Sequence, residues 1–181
     1  MRTAADRLED CLQGSLVLMG IGNSWRRDDA AGPALIQRVA GRLRAHCIDA
    51  GSAPERHLGE AVRSAPDSIV LVDAVDFGGS PGETAAFLPG DLPERIGTTH
   101  DVPLALLMRY LEAESGATVL LVGIQPASTV FGVGISTEVE ACVGSLASLF
   151  CARLGRPGGD DGDSVRTAAY AEEGGPGQPW T

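Results

Sequence analysis

Lysine is absent: the 14 cationic residues of this 181-residue chain are all arginine. That excludes the phosphate-binding lysine of a P-loop, a Schiff-base lysine and a Ser–Lys nucleophile. Cysteine is sparse: Cys11, Cys47, Cys142 and Cys151 form no CxxC pair and no dense framework. They read as reduced thiols packed as small hydrophobes. No apolar run is long enough to span a bilayer. Residues 1–10 lack the apolar segment of a signal peptide, so a cytoplasmic location is expected. Histidine occurs three times, and His57-Leu58-Gly59-Glu60-Ala61 lacks the second histidine a zinc-protease helix needs. A formal charge of −10 argues against nucleic acid or an anionic membrane as partner. Asparagine occurs once, as Asn23.

That asparagine lies in the stretch around which the chain is organised, Met19-Gly-Ile-Gly-Asn-Ser-Trp-Arg-Arg-Asp-Asp-Ala-Ala-Gly32. Ser15–Ile21 reads as a buried strand, and Leu35, Ile36, Val39, Ala40 and Leu43 recur at helical spacing over about Asp29–Arg44. His46–Asp49 reads as a second strand, Arg56–Ser64 as a weak helix and Ser68–Ala74 as a central parallel strand. Glu83–Leu88 follows a Gly/Pro turn as an edge strand. Leu104–Glu114 is an amphipathic helix behind Pro103, and Thr118–Ile124 a further buried strand. Thr137 and Glu140 fit a capping box opening a helix that ends near Leu154. Strands alternating with helices predict one α/β domain over residues 15–154, a three-layer αβα sandwich on a mostly parallel twisted sheet. Residues 1–14 read as a polar extension and 155–181 as a disordered Gly/Pro/Asp-rich tail.

Carboxylates sit where chemistry is expected: Asp29 follows the first strand, Asp49 the second and Asp73 the third. In a parallel sheet those strand ends share one edge. His100, just before the Leu104 helix, is in reach of the same edge. One imidazole with two carboxylates suits a first-row metal ion with positions left open. A bland reading stands beside it: Asp28 and Asp29 in a first helical turn also complement the macrodipole. Asp73 with Asp76 also suits a turn cap, and His57 reads as an ordinary surface residue. Gly22-Asn-Ser-Trp25 is not a nucleophile elbow, and Trp25 stands where a dinucleotide fingerprint needs its third glycine.

Gly20-Ile-Gly-Asn-Ser24, Asp28-Asp-Ala-Ala-Gly-Pro33, Asp49-Ala-Gly-Ser-Ala-Pro-Glu55, Val72-Asp-Ala-Val-Asp76, Pro81-Gly-Glu83, Thr99-His-Asp-Val-Pro-Leu104 and Gly123-Ile-Gln-Pro126 occur in that order. In these segments the chain resembles the hydrogenase maturation endopeptidases, above all the branch acting on the hydrogenase 3 large subunit. The resemblance implies removal of a C-terminal extension from a [NiFe] hydrogenase large-subunit precursor after nickel insertion. It also implies nickel recognition by Asp29, Asp73 and His100, with one of the two aspartates available as base. Asn23, Asp28 and Asp49 are expected to support that site or contact substrate. The nickel is expected to arrive with the substrate, because an oxygen-rich site holds it less firmly than thiolates do. Arg27 and Ala30 depart from the family habit of glycine flanking the acidic pair. Two other readings remain at this point: a nickel-dependent checkpoint protein that binds precursor without cutting it, and a small α/β metabolite hydrolase.

Overall fold

The computed structural model describes residues 4–92 and 103–156. Five strands form one sheet: β1 (Leu16–Ile21), β2 (His46–Gly51), β3 (Ser68–Ala74), β4 (Thr84–Phe87) and β5 (Thr118–Ile124). Their spatial order is β2-β1-β3-β5-β4, with only β4 antiparallel. The helices are α1 (Ala4–Cys11), α2 (Ala31–Val39), α3 (Leu58–Arg63), α4 (Leu104–Ser115) and α5 (Thr137–Leu154). The expected α/β class and mostly parallel sheet are therefore what the chain forms. No helix among the described residues is long and apolar enough to cross a membrane.

Strand alternation builds two cores. Leu16, Leu18, Val70, Val72, Leu120 and Val122 face α1, α2 and α5 around the fully buried Phe150. Val17, Met19, Ile69, Leu71, Val119 and Leu121 face α3 and α4. Because β1 leads to β2 on one side and lies beside β3 on the other, the strand order reverses between β1 and β3. The crevice at the carboxyl ends of those two strands is where such sheets receive ligands.

Four local expectations are corrected. The segment expected as a polar extension forms α1, and its Leu8, Cys11 and Leu12 are buried in the first core. Those three apolar positions recur at helical spacing, enough to dock a helix too short to stand alone. The helix expected from Asp29 instead begins with a 3-10 turn, Arg27–Ala30, and α2 runs only from Ala31 to Val39. The Thr137/Glu140 capping box does not form: Ser136 is the N-cap, without a side-chain capping bond, and Glu140 pairs with Arg38. At the other end, the folded body continues past Leu154. Gly155 bridges Leu43, and Arg156 donates its N–H to the Arg42 carbonyl at 2.9 Å and its Nε–H to the Leu43 carbonyl at 3.0 Å. Residues 157–181 of the expected tail lie outside the described residues.

Candidate active site

The loop after β1 is shaped by close backbone approach. A Cβ on Gly32 would stand 2.3 Å from the Ile21 carbonyl oxygen and 2.5 Å from that of Val72. Glycine there lets the first turn of α2 descend between β1 and β3. Gly22 is more constrained still: its φ is +145°, and a Cβ would fall 1.7 Å from the Asp29 carbonyl oxygen. Asn23 then turns the chain, its Oδ1 accepting the Trp25 N–H at 2.9 Å. This is the local side-chain-to-backbone turn asparagine favours. The Asn23 N–H in turn donates to Asp29 Oδ2 at 2.8 Å. The lone asparagine thus shapes the loop, and its backbone orients the Asp29 carboxylate.

Asp28 and Asp29 are 1% and 0% exposed and part company completely. Asp28 was expected to act through helix-end electrostatics or to support the site; it is a clamp on the loop between β5 and α5. Its Oδ2 accepts the N–H groups of Ala127 and Ser128 at 2.8 and 3.1 Å and the Ser136 hydroxyl at 3.0 Å. Its Oδ1 accepts the Ser136 N–H at 2.6 Å. One carboxylate therefore gathers four donors from a 12-residue connection, residues 125–136, that has no regular structure of its own. Ser136 spends its hydroxyl on this clamp, which is why it makes no capping bond.

Asp73 is also 0% exposed, the penultimate residue of β3, paired in register with Gly123. Alternation puts it on the face of Ile69 and Leu71, beneath α3 and α4. The 3-10 turn carrying Asp29 packs against β3, so the structure brings Asp29 and Asp73 to one crevice edge. Asp49 reaches the same end of the sheet on the edge strand, exposed, its Oδ1 taking the Gly51 N–H at 3.2 Å. His100 lies outside the described residues. Among the described residues no group of three or more His, Cys, Asp or Glu is arranged to hold a metal ion.

Sequence reasoning missed two further contributors. Gln125, nearly buried, accepts the Phe77 and Gly79 N–H groups on Oε1 at 2.9 and 3.1 Å, and its Nε2 donates to Asp76 Oδ1 at 3.0 Å. It staples the loop after β3 to the end of β5. Ser136 is the other. For Ser136 the available signal was position alone; Gln125 also stood inside the Gly123-Ile-Gln-Pro126 segment of the family resemblance, which gave it no role. Asp76 does cap its turn, accepting the Gly78 N–H at 3.2 Å.

Cavity size does not locate this site. A hollow of about 470 Å³ lies between Glu9, Gln13, Arg44 and Arg153, away from the carboxylates, whereas one of about 210 Å³ lined by Arg27, Asp28 and Ser136 adjoins them. Chemistry is the better guide. A carboxylate taken out of water is costly unless hydrogen bonds or a cation offset it. Two at the switch point of a sheet can receive a divalent cation through oxygen, or hold and release a proton for an attacking water.

Comparison with known proteins places the chain in a family. A family model described as HycI, hydrogenase maturation protease, matches residues 33–153, a span that starts just after the acidic pair. The curated hydrogenase 3 maturation protease of Escherichia coli (strain K12) is 39% identical over 113 residues, 61% of this chain and 72% of that protein. The crystal structure of a [NiFe] hydrogenase maturation protease HycI from Thermococcus kodakarensis KOD1 superposes with a TM-score of 0.75 at 31% identity, covering 82% of this chain and 98% of that one. The solution structure of the endopeptidase HycI from Escherichia coli gives 0.69 at 33% identity, covering 76% and 90%.

Proposed function

The chain belongs to the hydrogenase maturation proteases, and from that premise we propose that it removes the C-terminal extension of a [NiFe] hydrogenase large-subunit precursor once nickel is in place. It is an endopeptidase; the reading as a non-cutting checkpoint protein or a metabolite hydrolase falls behind, because its relatives are named as proteases. The observation that carries the finer reading is the pair Asp29 and Asp73, both fully buried at the carboxyl ends of β1 and β3. The family resemblance supplies His100 as the imidazole of an oxygen-rich trio.

Such donors hold nickel loosely compared with thiolates, so the ion belongs to the substrate and the trio reads it there. Precursor that carries nickel gains contacts that nickel-free precursor lacks, and its binding tightens by that difference. The same contacts hold the scissile peptide against a carboxylate that takes the proton of the attacking water. A cytoplasmic working place goes with this reading. The test is processing of nickel-loaded and nickel-free precursor by metal-stripped protein, read by intact mass. Cleavage of the loaded form alone is expected. Equal cleavage of both removes nickel from recognition.

A further inference from the structure

Six large hydrophobic side chains stand exposed among the described residues: Trp25, Leu106, Tyr110, Val130, Phe131 and Val133. Leu106 and Tyr110 belong to α4. The other four gather on two segments that are tied together beside the buried carboxylates. Trp25 is 63% exposed and Phe131 81%.

These are not frayed loop tips. The Arg27 N–H donates to the Gly132 carbonyl at 2.9 Å and the Gly132 N–H to the Trp25 carbonyl at 2.8 Å, a short parallel bridge. The Arg26 Nε–H adds a bond to the Thr129 carbonyl at 3.0 Å. Beneath them the Asp28 carboxylate holds both ends of the 127–136 segment. The backbone thus presents apolar side chains to water on a fixed frame. A rigid apolar surface of this kind marks an interaction site more often than chance exposure does.

Charge narrows the partner. In a chain of formal charge −10, this rim carries two adjacent arginines. Arg26 is tied to the frame, whereas Arg27 is exposed and lines the 210 Å³ hollow. Arg27 also adopts φ +47°, a left-handed conformation unfavourable for a residue with a side chain. That conformation is tolerated where the surrounding bonds over-determine it, often at functional sites. The cationic rim suits an anionic group on the partner. It sits two residues from Asp29 in the same turn, and Trp25 four.

We propose that Trp25, Val130, Phe131 and Val133, with Arg27 at their edge, form the docking platform for the precursor polypeptide. The segment it takes is extended, carries bulky apolar side chains and places a carboxylate against Arg27. This inference rests on the proposed function and adds the surface by which the substrate is held apart from its nickel.

The experiment uses the full chain and nickel-loaded precursor, with cleavage followed against precursor concentration. Phe131→Ser and, separately, Trp25→Ser raise KM about tenfold, the effect of removing one apolar anchor, while kcat stays within about twofold. Arg27→Glu raises KM more than Arg27→Gln does, and the gap between them shrinks with added salt. Tyr110→Ser, on α4, leaves both constants unchanged. Unchanged KM in Phe131→Ser and Trp25→Ser, with wild-type protein cutting normally, overturns the platform and leaves the proposed function standing. Wild-type protein that does not cut overturns the proposed function and the platform with it. Sedimentation of the wild type and Phe131→Ser distinguishes a second copy as occupant: a dimer lost in the variant with KM unchanged assigns the surface to self-association and overturns the proposal.

Discussion

At the amino-terminal end of the sheet Asp67 stands in solvent and ties β1 to β3; at the carboxyl-terminal end Asp28, Asp29 and Asp73 do related work out of reach of water. Asp67 Oδ2 accepts the Ser15 N–H and hydroxyl, both at 2.7 Å, and the Asp67 N–H donates to Ser15 Oγ at 2.9 Å. This is a local tie between two strand starts, and it costs little to keep. The other end bears the desolvation of three carboxylates. Four donors converge on Asp28, and Asp29 takes the Asn23 N–H. Asp73 breaks the apolar run of β3 and Asp29 lies in the turn before α2, both at the switch-point end of the sheet that the proposed function uses.

The sharpest way to break that contrast is to neutralise the two ends in turn. Asp29→Asn and Asp73→Asn keep side-chain shape and remove the charge. Each is expected to lower precursor cleavage at least about 100-fold, the scale of losing a catalytic or cation-reading group. Their melting temperatures should stay close to the wild type, since asparagine keeps the side-chain shape and can still accept a hydrogen bond through Oδ1. Cleavage is read by intact mass and folding by circular dichroism. Cutting at the wild-type rate by either variant takes that residue out of the chemistry.

Asp28→Ala should act through the other route. It removes the buried acceptor shared by the Ala127, Ser128 and Ser136 N–H groups and the Ser136 hydroxyl, and should cost about 1–3 kcal/mol of unfolding free energy. Cleavage falls as well, but through a higher KM, because the 125–136 connection loses its anchor. Denaturant unfolding and steady-state kinetics check both parts. A variant as stable as the wild type returns Asp28 to the helix-dipole role expected from its place in the sequence.

The frame was legible because packing repeats. Ser68–Ala74 and Thr118–Ile124 have the expected bounds, since a strand covered on both faces must be apolar throughout. The Leu104 helix starts where Pro103 predicts. Asp29 and Asp73 were legible as carboxylates at strand ends. What Asp28 does was not, because its partners lie about a hundred residues away and are mostly backbone N–H groups, which leave no mark in composition. Ser136 was hidden by a neighbouring pattern: Thr137 and Glu140 have capping-box spacing, but Arg38 draws Glu140 away. Gln125 stood in a segment shared with the family, but its partners Phe77, Gly79 and Asp76 lie nearly fifty residues away and could not be read from it. The exposed Phe131 read as nothing, since an apolar residue in a loop carries no period.

The smallest effect sharpens the comparison from the quiet end. The Ser15 N–H, and then its hydroxyl, hold the Asp67 carboxyl below its ordinary value of 3.8. A folded-state value below the unfolded one means the unfolded chain binds the proton more readily. The tie therefore stabilises the fold fully above about pH 5, weakens as pH falls below the unfolded value near 4, and is gone below the folded value. Asp67→Asn keeps much of the geometry and cannot titrate. It should melt slightly below the wild type at pH 7, and the gap should narrow steadily as pH falls below about 4. Cleavage at pH 7 should be unchanged, because Asp67 lies at the opposite end of β3 from Asp73. Melting curves across that range, with one cleavage assay at pH 7, check all of this. A gap that persists undiminished at pH 2 assigns the loss to altered geometry instead of charge. A loss of cleavage would join the two ends of the sheet that burial and hydrogen bonding keep apart.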